Sequence, residues 1–128
     1  MVLVVEDDDA CRSEVCEVLK SAGYAALEAR DGSRALELLI SDRMPEPGLI
    51  LLDLGMPVMT GEELMTHLKS DHRLAQIPVL FMSANMLRPE QWSDAGWLPK
   101  PFTEEVLLTE VSKRCHHPEP QTPTEMTG

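Results

Sequence analysis

Short apolar runs alternate with helical periodicities along most of the chain. Met1 to Val5 is a continuous apolar run, the pattern of a strand buried on both faces, and the acids Glu6 to Asp9 end it. Val15, Val18, Leu19 and Ala22 then recur at helical spacing, with Asp9 as N-cap and Gly23 as the stop. Tyr24 to Ala29 reads as a second strand closed by Asp31-Gly32. Ala35, Leu36, Leu38, Leu39 and Ile40 give a second helix with a broad apolar face. After the Pro45-Glu46-Pro47-Gly48 break, Leu49 to Leu52 is a third strand without alternation, running straight into Asp53. Thr60-Gly61-Glu62-Glu63 has capping-box spacing and opens a third helix with Leu64, Met65 and Leu68 inward. Ile77 to Met82 is the fourth strand. Pro89 suits the first turn of a short fourth helix, stopped by Gly96 after about two turns. Trp97-Leu98 is the stub of a fifth strand, confined to a sheet edge by Pro99 and Pro101. Val106, Leu107, Leu108 and Val111 mark the last helix.

Strict strand–helix alternation implies a doubly wound α/β fold, a parallel five-stranded sheet with helices on both faces. Such folds hold ligands outside the carboxyl ends of the strands, where the strand order reverses. The domain is expected to span residues 1–114. Residues 115–128 hold three of the ten prolines and no apolar period, and read as a disordered tail or the start of a linker.

Composition narrows the function. With 128 residues, 43% apolar and 26% charged, the chain fits one ordinary globular domain. No apolar run approaches the ~20 residues that span a bilayer, so no membrane role is expected. The 22 acids against 11 basic residues give a net charge of −11. That balance argues against a polyphosphate partner held by charge alone, and with no basic helix no direct nucleic-acid contact is expected. Cys11, Cys16 and Cys115 are too few and too odd for a disulfide framework, which fits a reducing, cytoplasmic setting. Cys11 and Cys16 read as core residues, and His67 and His72 as helix-surface residues. Cys115-His116-His117 carries metal-binding residue types, but in a tail.

Placed on this sheet, the polar residues converge. Glu6 and Asp7 follow strand one, Asp53 strand three, Ser83 strand four and Lys100 strand five, all at carboxyl ends. Two carboxylates ~5 Å apart repel by roughly 3 kcal/mol at an effective dielectric near 20, so the group must hold a proton, a cation or a lysine. Oxygen ligands of this kind favour Mg²⁺. A carboxylate beside Mg²⁺, a lysine and a hydroxyl can accept a phosphoryl group.

These segments resemble the receiver domain of two-component response regulators. The likeness rests on Val-Val-Glu6-Asp7-Asp8, on Leu51-Leu52-Asp53-Leu54-Gly55-Met56-Pro57 with Gly61, on Phe81-Met82-Ser83-Ala84 and on Lys100-Pro101-Phe102. It covers about residues 1–113. It implies a flavodoxin-like strand order 2-1-3-4-5. It also implies Asp53 as phosphoacceptor, with Asp7 as direct Mg²⁺ ligand, Glu6 as holder of a metal-bound water and the Gly55 carbonyl as a further ligand. Ser83 would bond the phosphoryl oxygen and act as a switch, and Ala84 would leave room for the group. Lys100 would pair first with Asp53 and later with phosphate, and the Lys100–Pro101 bond would be cis. Trp97 takes the aromatic switch position, while Gly55 and Asn85 take positions that tune phosphoryl lifetime. The shortened fourth helix and the indole at 97 depart from the family pattern.

The function this implies is a cytoplasmic phosphoacceptor in a phosphorelay. A sensor histidine kinase or histidine phosphotransfer protein would supply the phosphoryl group, and a downstream effector or fused output domain would read it. The only catalysis would be the domain's own phosphorylation and dephosphorylation. The alternative is an interaction module with the same fold that works without phosphorylation, suggested by the clipped helix and Trp97. An aspartate-nucleophile phosphatase of the haloacid-dehalogenase type fits less well, because Gly55 stands where that superfamily places a second acid.

Overall fold

The uninterrupted apolar runs form the centre of a five-stranded parallel sheet in the computed structural model, which describes residues 1–41, 45–54, 61–84 and 95–115. The strands are β1 (Val2–Val5), β2 (Ala26–Ala29), β3 (Leu49–Asp53), β4 (Val79–Ser83) and β5 (Gly96–Pro99), in spatial order β2-β1-β3-β4-β5. Among the described residues the helices are α1 (Asp9–Ser21), α2 (Gly32–Ile40), α3 (Gly61–Lys69) and α4 (Glu104–Arg114).

Side chains alternate across a strand, so each strand feeds two cores. Leu3 and Val5 of β1, Ile50 and Leu52 of β3, and Val79 and Phe81 of β4 pack on one face, with Ala35 and Leu39 of α2 and Leu64, Met65 and Leu68 of α3. Val2 and Val4, Leu49 and Leu51, and Leu80 and Met82 pack on the other, with Val15, Cys16 and Leu19 of α1 and Leu107 and Val111 of α4. Apolar cover on both sides explains why β1 and β3 show no polar alternation.

The differences from the sequence reading are local. Asp8, not Asp9, caps α1: its side chain accepts the backbone N–H of Cys11 at 3.0 Å, and Asp9 is already helical. Gly23 takes φ 97° after the helix, a region that favours glycine. β2 begins at Ala26, while the buried Tyr24 packs in the core before it. β4 begins at Val79, because a 3₁₀ turn over Leu74–Gln76 delivers the chain to Ile77. Whether Gly96 stops the helix expected before it lies outside the described residues. Gly96 is the first residue of β5, paired with Leu80, and Arg114 fills the space a β-carbon would need. The apolar face of α2 is narrower than its sequence suggests, with Ile40 59% exposed. Cys115, placed in the tail by its sequence, is buried against the α1/α4 core. The helix expected around Pro89, the cap at Thr60 and the remaining tail residues, His116 and His117 included, lie outside the described residues. No helix among the described residues is long and apolar enough to cross a membrane.

The Asp8 cap gives a first test. Asp8→Ala is expected to cost about 1 kcal/mol by losing one satisfied N–H at the α1 terminus, measured as a lower urea midpoint at unchanged m-value.

A candidate phosphoacceptor and cation site

The strand order reverses between β1 and β3, and the acids sit at that point. Parallel pairing sets Val5 beside Leu52, so the residues that follow them, Glu6 and Asp53, emerge at the same rim. Glu6, Asp7 and Asp53 each offer a carboxylate oxygen, and these atoms lie within 4.8 Å of one another. Glu6 is 1% exposed and Asp53 8% exposed, while Asp7 faces solvent. Adjacent residues extending from a strand point opposite ways, which separates the buried Glu6 from the exposed Asp7.

Lys100 supplies the local positive charge. Its Nζ lies 2.6 Å from Glu6 Oε1 and 3.9 Å from Asp53 Oδ2. Lys100 thus reaches Asp53, as expected, but its shorter contact goes to Glu6. The physical reason is depth, because Glu6 is the most buried carboxylate and has most to gain from a direct cation. Burial alone pushes the Glu6 carboxyl upward. Hydrogen bonds from Lys100 and the Asp8 N–H, with the charge of Lys100, outweigh it and hold Glu6 below the ordinary carboxylate value. Burial pulls Lys100 down, but Glu6 and Asp53 together hold it above its ordinary value, so the ammonium stays charged.

Three carboxylates facing one another, with a single lysine between two of them, leave unbalanced negative charge. Opposite ligands on an octahedral Mg²⁺ stand about 4.2 Å apart, twice the ~2.1 Å metal–oxygen distance. A 4.8 Å cluster of hard oxygen donors thus fits a small divalent cation after a slight contraction.

Of the other predicted residues, Ser83, Ala84, Trp97 and Pro101 are described. Asp53 pairs in register with Met82, which places the buried Ser83 one residue further along the neighbouring strand. The Ser83 carbonyl accepts the backbone N–H of Lys100 at 2.9 Å, which ties the ends of β4 and β5 together. Ala84 is exposed beside it. The Lys100–Pro101 bond is cis, as expected. Trp97 is half-buried against Phe81, with ring centroids 6.2 Å apart and planes at 58°. Gly55 and Asn85 lie outside the described residues. Cys16 is buried in the core, and the partly exposed Cys11 packs against it. Burial and the nearby Glu6 push the Cys11 thiol up to about 11, so it is no nucleophile at neutral pH.

One contributor escaped the sequence reading. Arg12 of α1 donates to the Glu6 backbone carbonyl at 2.9 Å, to Asp9 Oδ1 at 2.6 Å and to Glu28 Oε1 of β2 at 3.0 Å. The Asp9–Arg12 spacing of three was the available signal. The reach to Glu28 follows only from the β1–β2 register.

Comparisons with known proteins agree with this geometry. The family model described as "Response regulator receiver domain" matches residues 2–112. The chain is 32% identical over 118 residues to the chemotaxis protein CheY of Pseudomonas aeruginosa, covering 88% of this chain and 93% of that one. It is 37% identical over 115 residues to the response regulator MprA of Mycolicibacterium vanbaalenii. It spans about half the length of several curated relatives it matches, 48% of MprA and 49% of the rice response regulator ORR6. Among solved structures, Vibrio cholerae CheY4 superposes with a TM-score of 0.77 at 32% identity, covering 88% of this chain and 96% of that one. The Thermotoga maritima response regulator TrrA, solved in complex with Mg²⁺-BeF, superposes at 0.75 with 26% identity, covering 88% and 96%.

Proposed function

Since this chain belongs to the response-regulator receiver family, we propose that Asp53 accepts a phosphoryl group in a Mg²⁺-dependent reaction. The donor is the phosphohistidine of a sensor kinase or a histidine phosphotransfer protein. The observation that carries this reading is the buried Asp53 within one carboxylate cluster with Glu6 and Asp7, 3.9 Å from the Lys100 ammonium.

One Asp53 carboxylate oxygen attacks phosphorus as the phosphorus–nitrogen bond of phosphohistidine breaks. The imidazole nitrogen keeps the electron pair, and an acyl phosphate remains on Asp53. Mg²⁺ held by Asp7, Asp53, the Gly55 carbonyl and, through water, Glu6 would neutralise charge on the phosphoryl oxygens. Lys100 provides a second cation at the same rim, and the Ser83 hydroxyl donates to a phosphoryl oxygen. Water later cleaves the acyl phosphate, which limits catalysis to the domain's own modification and its reversal. Up to ~2 negative charges gained at the rim bias Ser83 and Trp97 and so alter the face offered to an effector or output domain.

Incubation with acetyl phosphate and Mg²⁺, followed by intact mass measurement, tests this. One added phosphoryl group on the wild-type chain and none on Asp53→Asn is the expected result. An unmodified wild type, together with partner binding indifferent to Asp53→Asn, would instead favour a phosphorylation-independent interaction module.

A further inference from the structure

We infer that Arg12 is a positioning residue for the cation site, acting on the peptide group that joins Glu6 to Asp7; this rests on the function proposed above. The carbonyl of Glu6 belongs to that peptide, and the Arg12 Nη1 bond at 2.9 Å fixes the peptide's plane. With the plane fixed, Glu6 is held toward the interior and Asp7 toward solvent, the division that lets both carboxylates face one point.

The guanidinium is itself anchored from two sides. Nε donates to Glu28 on β2, and Nη2 donates to Asp9 in the first turn of α1. The Arg12 side chain is only 15% exposed, against 44% for Glu28 and 86% for Asp9. A planar fork can hold a backbone carbonyl and two carboxylates at once, whereas an ammonium concentrates its donors at one point on a flexible stem. The same three contacts tie α1 and the edge strand β2 to the loop after β1, so loop geometry depends on helix and sheet together. Asp7 has no such support from burial, because it is exposed. Its placement depends on the backbone that Arg12 grips. Residues that orient metal ligands from behind typically change affinity by 10–100-fold when removed.

Isothermal titration of the full chain with Mg²⁺ tests this, beside Tm without metal. Arg12→Ala and Arg12→Lys are each expected to weaken Mg²⁺ binding by about tenfold. Glu28→Gln, which keeps an acceptor for Nε, is expected to stay within about twofold of wild type. Asp7→Asn serves as the control that reports on the cation site itself. Full rescue of affinity by lysine would assign the effect to charge and overturn the positioning role. A fall in Tm with unchanged affinity would make Arg12 structural only, and also overturn it. If Arg12→Ala does not fold, the lysine and Glu28 variants decide. Failure of the wild type to bind Mg²⁺ would sink the underlying functional reading, an outcome distinct from either of these.

Discussion

Lys100→Met is expected to slow phosphoryl acceptance by about 100-fold, read as the initial rate of mass increase with acetyl phosphate and Mg²⁺. Removing one pre-placed donor aimed at developing negative charge typically costs 10²–10³ in rate. In the proposed reaction Lys100 is such a donor, 3.9 Å from Asp53 and 2.6 Å from Glu6. The same variant carries a stability signature. In the wild type, Glu6 sits below its ordinary value, so its ionised form stabilises the fold. That contribution is present above the ordinary carboxylate range and lost as pH falls through the folded value. Without Lys100, two of the influences that lower Glu6 are gone while burial remains, so ionised Glu6 contributes less stability and less is lost in acid. The stability deficit of Lys100→Met should therefore be of order 2 kcal/mol at pH 7 and shrink toward pH 4, followed by urea denaturation at both values. A deficit independent of pH would contradict the Glu6–Lys100 assignment.

Asp53→Asn is expected to abolish phosphoryl acceptance while raising stability. The metal-free protein holds three carboxylates with oxygens within 4.8 Å, and one lysine offsets only part of their repulsion. Neutralising Asp53 removes one member and keeps its shape. A gain of about 1 kcal/mol without Mg²⁺ follows, a fraction of the roughly 3 kcal/mol repulsion of a close pair at intermediate dielectric. Saturating Mg²⁺ should erase or reverse the gain, because the cation stabilises the wild type more than the variant. Strain of this kind is expected where function requires charges to be held together. Loss of stability in Asp53→Asn without metal would mean that the Asp53 contacts outweigh the repulsion, against the electrostatic reading of the cluster.

The parts legible in the sequence are those with local causes. Met1–Val5 and Leu49–Leu52 announce strands covered on both faces, and the placement of Glu6 and Asp53 at their ends follows from chain order. Ser83 and Lys100 were placed by the same logic, and pairing does bring the ends of β4 and β5 together. What escaped depends on distances between separate elements. That Lys100 sits 1.3 Å closer to Glu6 than to Asp53 depends on burial depth and side-chain length. Arg12 looks like a surface arginine until β2 brings Glu28 beside it. Cys115 lies beyond the last apolar period, yet the end of α4 folds it into the core. The place of Gly96 at the start of β5 is not visible in the sequence either, and only the approach of Arg114 shows what a side chain there would meet.

The assignment of Asp53 as phosphoacceptor is tested most directly by locating the modified residue. The phosphorylated chain is reduced with borohydride, which converts an aspartyl phosphate to homoserine, then digested and sequenced by mass spectrometry. Homoserine at position 53, and at no other acid, is the predicted result. Reduction at Glu6 or Asp7, or a phosphoryl group that survives as a stable ester elsewhere, would contradict it.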